Sequence, residues 1–226
     1  MVRSLDEPMA RSADDHPIDA RSASDRLSSA IGLSSHSGWA ALVAFSGPAP
    51  DPVLLLRVRL VLADPEDISA KQPFHAAEGM PFAKAKTFIG AAIADARLRA
   101  RRELGTALRD LRNRGWDPAR CAVLLASGRP LPALESVLAS HALIHAAEGD
   151  HFRDALADAA KHHGLEVVRV ARKELAQRAS VALRAPAERL AARLVMIGKS
   201  AGPPWGQDQK LAALAAWMCL GRVGSR

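Results

Sequence analysis

Residues 29–63 read SAIGLSSHSGWAALVAFSGPAPDPVLLLRVRLVLA. Two turn signals divide this stretch into three apolar runs. SHSG places Gly38 where the chain must reverse, and GPAPDP (47–52) is a Pro/Gly turn. The runs SAIGLS, WAALVAF (39–45) and VLLLRVRLVLA (53–63) are too short for helices and rich in Val, Leu and Ile. In the third, Arg57 and Arg59 alternate with Val58 and Leu60, so one face is wet there. Three short strands joined by tight turns predict an antiparallel meander.

Working outward, a loop carrying PFHAAEGM follows, then a long helical pattern over 82–114. Phe88, Ile89, Ile93, Leu104, Leu108 and Leu111 fall at helical spacing, and Gly115 closes the helix. CAVLLAS (121–127) is wholly apolar and reads as a central strand buried on both faces. A second helix is expected from about 133 to His163, interrupted at Gly149–Asp150. LEVVRVA (165–171) is a fifth strand, and helical pieces follow at 172–182, 186–198 and 207–220. The order β-β-β-α-β-α-β-α, with extra C-terminal helices, predicts an α/β fold. Its mixed sheet starts antiparallel and continues parallel through helical crossovers.

The chain has 226 residues, of which 49% are apolar, enough for a real core. The serine-, aspartate- and arginine-rich residues 1–28 are expected to form a disordered tail, followed by one domain over 29–221 and a short tail at 222–226. There is no apolar signal region and no run of 18 apolar residues, so no membrane partner is expected. Cys121 and Cys219 lie far apart without CxxC pairing, which fits a reducing, cytoplasmic setting. Lys and Arg outnumber Asp and Glu by 31 to 24, a formal charge of +7, and point to nucleic acid or another anionic partner.

IGLSSHSGWAALVA resembles the first hairpin of the RNase H-like superfamily, in its Holliday-junction-resolvase branch. GPPWGQDQKLAALAAW resembles that family's closing helix, where an acid opens an Ala-rich segment. The resemblance spans residues 29–221 in topology and implies nucleic-acid processing with divalent metals. Such a site clamps two ions between carboxylates at the ends of strands one and four and at the start of the last helix. In this chain those positions read Ser34, then Ala126 or Ser127, then Asp208. Only Asp208 is an acid.

The five residues HAAEG occur twice, at 75–79 and 145–149. The first copy lies between Pro73 and Pro81, with room for a turn or a short helical segment; the second lies on a helix. Nothing flanking extends the match, so it does not read as a duplication. On a helix, His141, His145 and Glu148 share one face, which also carries Ile144 and Phe152. Polar groups on a core face must be hydrogen-bonded, paired or ligated. A buried His–Glu pair fixing the packing and a catalytic or metal-binding set are both open. If the copies meet, each His could face the other's Glu, and His75 and Glu78 then become candidate ligands of a divalent metal. On the expected helix His141 lies nearer the strand ends than Glu148.

The candidate catalytic residues are therefore His36, in the turn after the first strand, with Asp208, His141, His145 and Glu148. Candidate nucleic-acid contacts are Arg129, just past the central strand, Arg99 and Arg102 on the long basic helix, and Lys210. The functional expectation is a divergent RNase H-like protein that binds or processes nucleic acid through a non-standard His/Glu/Asp site, as a metal-dependent phosphodiester hydrolase if it is an enzyme. The alternative is a non-catalytic adaptor that keeps the fold and uses the His and Glu residues structurally. A kinase of the actin-like type shares this topology, but the sequence has no Gly-rich phosphate loop with an acid.

Overall fold

The computed structural model describes residues 27–125 and 130–221. The expected N-terminal tail up to Arg26, Ala126–Arg129 and the last five residues lie outside them. The opening stretch forms β1 (Leu27–His36), β2 (Trp39–Ser46) and β3 (Val53–Val61). Both reversals use a glycine in the left-handed region, Gly38 at φ 77° and Gly47 at φ 89°. The sheet has five strands in the order β3-β2-β1-β4-β5, with β4 at Trp116–Leu125 and β5 at Glu166–Ala171. β1 and β2, and β2 and β3, run antiparallel; β1 and β4, and β4 and β5, run parallel. This is the mixed sheet of the RNase H-like fold.

Helix α3 (Phe82–Asn113) crosses from β3 to β4, and α5 (His141–His162) from β4 to β5. Both pack on one face of the sheet, where Ile31, Leu33, Leu42 and Cys121 meet Leu104, Leu108, Leu111, Phe152 and Leu156. The other face is covered by α6 (Leu175–Leu183), α7 (Ala187–Ala201) and α8 (Gln207–Leu220). There Ala30, Val43, Phe45 and Leu124 meet Leu175, Leu190, Ala212 and Trp217. The period-2 alternation of each central strand thus feeds two cores. Between them Gly32 allows α8 to approach β1 at backbone distance: a Cβ there would stand 1.9 Å from the Ala212 carbonyl oxygen.

A third, smaller core lies beyond these two. Helix α3 has 32 residues, about 48 Å of helix against about 33 Å for a ten-residue strand. Ala85 and Ile89 in its first turns pack with Phe74 and Ala77 and with Val137, Ile144 and Ala147. Two short helices contribute here, α2 (Pro73–Ala76) and α4 (Leu134–Leu138), while α1 (Ile68–Lys71) leans on the first core through Ala70.

Four sequence expectations are corrected. Leu27 and Ser28 belong to β1 rather than to a tail, because β4 starts at Trp116 and its first residues pair with them. Residues 116–120, which the apolar run at 121 did not include, therefore belong to β4; Pro118 is accommodated next to a register shift at Ser29/Ala30. The helix expected from 133 breaks at Ala139–Ser140, where Ser140 takes an extended N-cap conformation at φ −139° and ψ 114°. It does not break at Gly149–Asp150. A helical glycine costs only about 1 kcal/mol, and Ala147 and Phe152 are buried on either side of it. Finally, His141 and His145 do not continue the core stripe. They are exposed, and the buried face is Ile144, Ala147, His151, Phe152 and Ala155.

Candidate functional site

An open cleft of about 370 Å³ lies where the parallel strands end. Ser35, His36 and Ser37 reach it from the end of β1, Arg172 from just after β5, and Asp208 from the first turn of α8. Its opposite wall is Gln72 and His75 beside and on α2, and His145, Glu148, Gly149, Phe152 and Arg153 on α5. Helix α5 starts only at His141, so its second to fourth turns, not its first, lie along the cleft. His141 is therefore not a lining residue although its neighbours are, and Glu148 lines the cleft, the reverse of the expected order.

Asp208 is placed by the sheet. The Ser34 hydroxyl donates to its Oδ1 at 3.0 Å. The corner leading into α8 is held by Arg57 on β3, whose guanidinium donates to the carbonyls of Gly202 and Pro204 at 2.6 and 2.9 Å. Trp205 completes the corner: its indole N–H donates to the Leu194 carbonyl at 3.0 Å, and its ring fills the space left by Gly198. His36 is exposed and stacks on Trp39, with ring centroids 5.4 Å apart and planes at 21°. The Arg59 guanidinium covers the same indole at 4.3 Å.

The two HAAEG copies meet. Ala77 of the first and Ala147 of the second are both buried in the third core. Their small side chains let α2 and α5 come together, which brings the polar ends of the two motifs into contact. Glu148 Oε1 accepts from the backbone N–H groups of Phe74 and His75, at 2.8 and 3.0 Å, and lies 3.2 Å from His75 Nδ1. Glu148 Oε2 is buried without a partner among the described residues. Burial raises the carboxyl pKa above its ordinary value, against the opposing pull of the His75 and Phe74 bonds. In the other direction Glu78 Oε1 stands 3.5 Å from His141 Nδ1.

His145 Nε2 and His141 Nε2 are 3.1 Å apart. The three rings of His75, His141 and His145 lie edge to face, with centroids 4.6 to 5.5 Å apart. One nitrogen from each falls within 4.8 Å of the others. Next to them, Arg153 donates to the Gly149 carbonyl and lies 3.6 Å from Asp150. Burial lowers its pKa and raises that of Asp150, the Arg–Asp attraction opposing both shifts. One turn deeper, His151 is buried against Phe74 and Phe152 with its Nε2 unpartnered among the described residues, and burial pulls its pKa down to about 4.

Of the residues singled out in sequence, His36, His75, His145, Glu148 and Asp208 share this cleft, with His141 and Glu78 on its margin. Arg99 and Arg102 are elsewhere on α3, paired with Asp95 and Glu103 at 2.6 and 3.2 Å. Lys210 lies on the far side of α8, along the groove with α7. Arg129 is outside the described residues. Sequence reasoning missed Gln72, Arg153 and Arg172. Arg172 carried a usable signal, since it directly follows a parallel strand at the sheet end where such folds bind ligands.

The donor set does not fit a pair of carboxylate-clamped magnesium ions. At the first acid position a serine hydroxyl donates into Asp208, the only acid among the three positions. Neither Ala126 nor Ser127 offers a carboxylate at the second. Each of two magnesium ions would need its own one or two carboxylates beside water and substrate oxygens, and Asp208 alone cannot supply both.

No family model matches the sequence, and no curated protein matches it. Two solved structures of RuvC from Thermus thermophilus align with the chain. The one in complex with Holliday junction substrate does so at 13% identity and a TM-score of 0.48, over 84% of this chain and 90% of its own. The other does so at 15% identity and a TM-score of 0.45, over 84% and 92%.

Proposed function

We propose that the cleft at the strand ends binds the phosphodiester backbone of a nucleic acid, and that its His, Glu and Asp residues process the bound strand. The observation that carries this reading is the convergence of Asp208, His36, His145 and Glu148 with Arg153 and Arg172 on one open cleft. The formal charge of +7 supports an anionic partner. Arg172, exposed at the rim, supplies a phosphate contact. Arg99, Arg102 and Lys210, away from the cleft, add long-range attraction rather than contact.

Hydrolysis by this set is acid–base chemistry. Asp208, held by Ser34, accepts a proton from the attacking water as its oxygen bonds to phosphorus. The exposed imidazole of His36 gives a proton to the departing alkoxide as the P–O bond breaks.

A second reading has its own support. The Ser34–Asp208 bond occupies the one remaining acid, and Glu148 ties α2 to α5 through two backbone N–H groups. Both favour an adaptor that binds without cutting. One experiment separates the two: labelled branched and single-stranded DNA are incubated with the protein at two salt concentrations, and both binding and products are read. The first reading expects salt-sensitive binding, weakened about tenfold by Arg172→Glu, and products that Asp208→Asn abolishes. Binding without products selects the adaptor. Absence of salt-sensitive binding overturns the nucleic-acid reading altogether.

A further inference from the structure

The geometry points to a transition-metal site made by His75, His141 and His145, with Glu148 and Glu78 as the carboxylates that orient two of the rings. It does not rest on the nucleic-acid reading. Its first support is the donor set. Three imidazoles come from two separate elements, two of them from successive turns of α5 at the i, i+4 spacing that aligns side chains on one face. One nitrogen of each lies within 4.8 Å of the others. Nitrogens bound tetrahedrally at about 2.0–2.1 Å from an ion stand about 3.3 Å apart. The closest pair here, His141 Nε2 and His145 Nε2, is 3.1 Å apart. The remaining contraction falls on side chains that are not packed in: His141 and His145 are exposed.

The second support is which nitrogens face away from the cluster. His75 Nδ1 is bound to Glu148 Oε1 at 3.2 Å, which leaves Nε2 as its ligand atom. His141 Nδ1 stands 3.5 Å from Glu78 Oε1, while its Nε2 meets His145. A carboxylate behind the non-ligating nitrogen is the arrangement that fixes tautomer and ring angle in metal-bound histidines. Glu148 is well placed for it, since two backbone N–H groups of α2 already hold its Oε1. This accounts for the repeat: each copy brings one ligand histidine and one orienting glutamate, and the buried alanines bring the copies together.

The chemistry of the set selects the ion. Three neutral imidazoles suit zinc, cobalt, nickel or copper and not magnesium or calcium, which take oxygen ligands. Three protein ligands leave the fourth position of a tetrahedral ion open, as in catalytic rather than structural zinc sites. His75 and His145 both line the cleft. A ligand or water on that position would therefore stand in the same space as Asp208 and His36.

The test needs no nucleic acid, so its failure is distinct from failure of the proposed function. Untagged protein is stripped with a chelator, then titrated with zinc by calorimetry and with cobalt by visible absorption. The expectation is one equivalent of either ion, with cobalt bands of tetrahedral intensity. His145→Ala, at an exposed position, should lose the stoichiometric step while far-ultraviolet circular dichroism stays unchanged. Glu148→Gln should weaken uptake by about 10- to 100-fold. His162→Ala, at the exposed far end of α5, should leave it unchanged. Absence of uptake by the wild-type protein, or equal uptake by His145→Ala, overturns the site.

Discussion

The two HAAEG copies have the same five residues and opposite surroundings. At 145–149 the motif lies in the second and third turns of a 22-residue helix; at 75–79 it finishes a four-residue helix and runs into a turn. Glu148 is almost enclosed, with 11% of its side chain exposed and three donors on one oxygen, whereas Glu78 is 48% exposed. Gly149 is helical, whereas Gly79 has φ 77°. Glu148 of the second copy is fixed by the backbone and ring of the first, whereas Glu78 of the first reaches only the exposed ring of His141. What the copies share is an alanine, Ala77 or Ala147, buried in the same third core. Identical residues acquire different roles because burial, not identity, decides what a carboxylate must do.

That asymmetry can be broken at several points. The largest effect is expected from Glu148→Ala, which strips the acceptor from the Phe74 and His75 N–H groups and separates α2 from α5. Hydrogen bonds to a charged acceptor contribute about 1.5–3 kcal/mol each and are not additive, so a loss of about 3 kcal/mol is expected in chemical denaturation. Glu78→Ala should leave the denaturation midpoint unchanged. Equal effects from the two would erase the distinction between the copies.

Acid should attack the same joint nearly as strongly. His151 packs on Phe74, next to the first copy, and burial keeps its imidazole neutral down to about 4, against 6.5 ordinarily. Desolvation dominates; Asp154 pulls the other way and Arg97 adds to it. The folded protein thus binds fewer protons than the unfolded chain between these values. The contribution is fully present above pH 6.5, falls as pH drops towards 4, and levels off below, losing about 3 kcal/mol in all. His151→Leu should flatten that part of the stability–pH curve, and a slope unchanged by it would refute the assignment.

The smallest effects come from the glycines. Gly79→Ala forces an L side chain into the left-handed region and should cost about 1 kcal/mol. Gly149→Ala gains helix propensity but its Cβ would meet Arg153 Nη1 at 2.8 Å, the end of a flexible side chain. Its expected effect is ~0.5 kcal/mol or less in either direction. Thermal melts of the two variants give the comparison directly.

The sheet was legible because its signals are local. Apolar runs, alternating Arg57 and Arg59, and turns at Gly38 and Gly47 specify strands without reference to the rest of the chain. The break before α5 was harder to read: Leu138–Ala139–Ser140 holds neither Gly nor Pro, while Gly149, a few residues on, looks like the better breaker. That one displaced boundary moved His141 from beside the cleft to its margin and left Arg153 unnoticed. The approach of α2 to α5 depends on the overhanging first turns of α3, through Ala85 and Ile89, and no local pattern reports it. The repeat itself hinted at a meeting, and half of the imagined exchange exists: His75 faces Glu148, while Glu78 is beside His141 rather than His145.

The stack of His36 on Trp39 has an optical consequence. The protein contains four tryptophans and no tyrosine, so emission excited beyond the phenylalanine absorption band is indole emission. One of those four indoles lies flat against a cleft histidine, with Arg59 covering it at 4.3 Å. Whatever displaces His36 from the stack changes the quenching of that indole. Replacing Trp39 with Phe would remove the responsive part of the signal and leave the emission of Trp116, Trp205 and Trp217, so the cleft carries its own light source for reporting an arriving ligand.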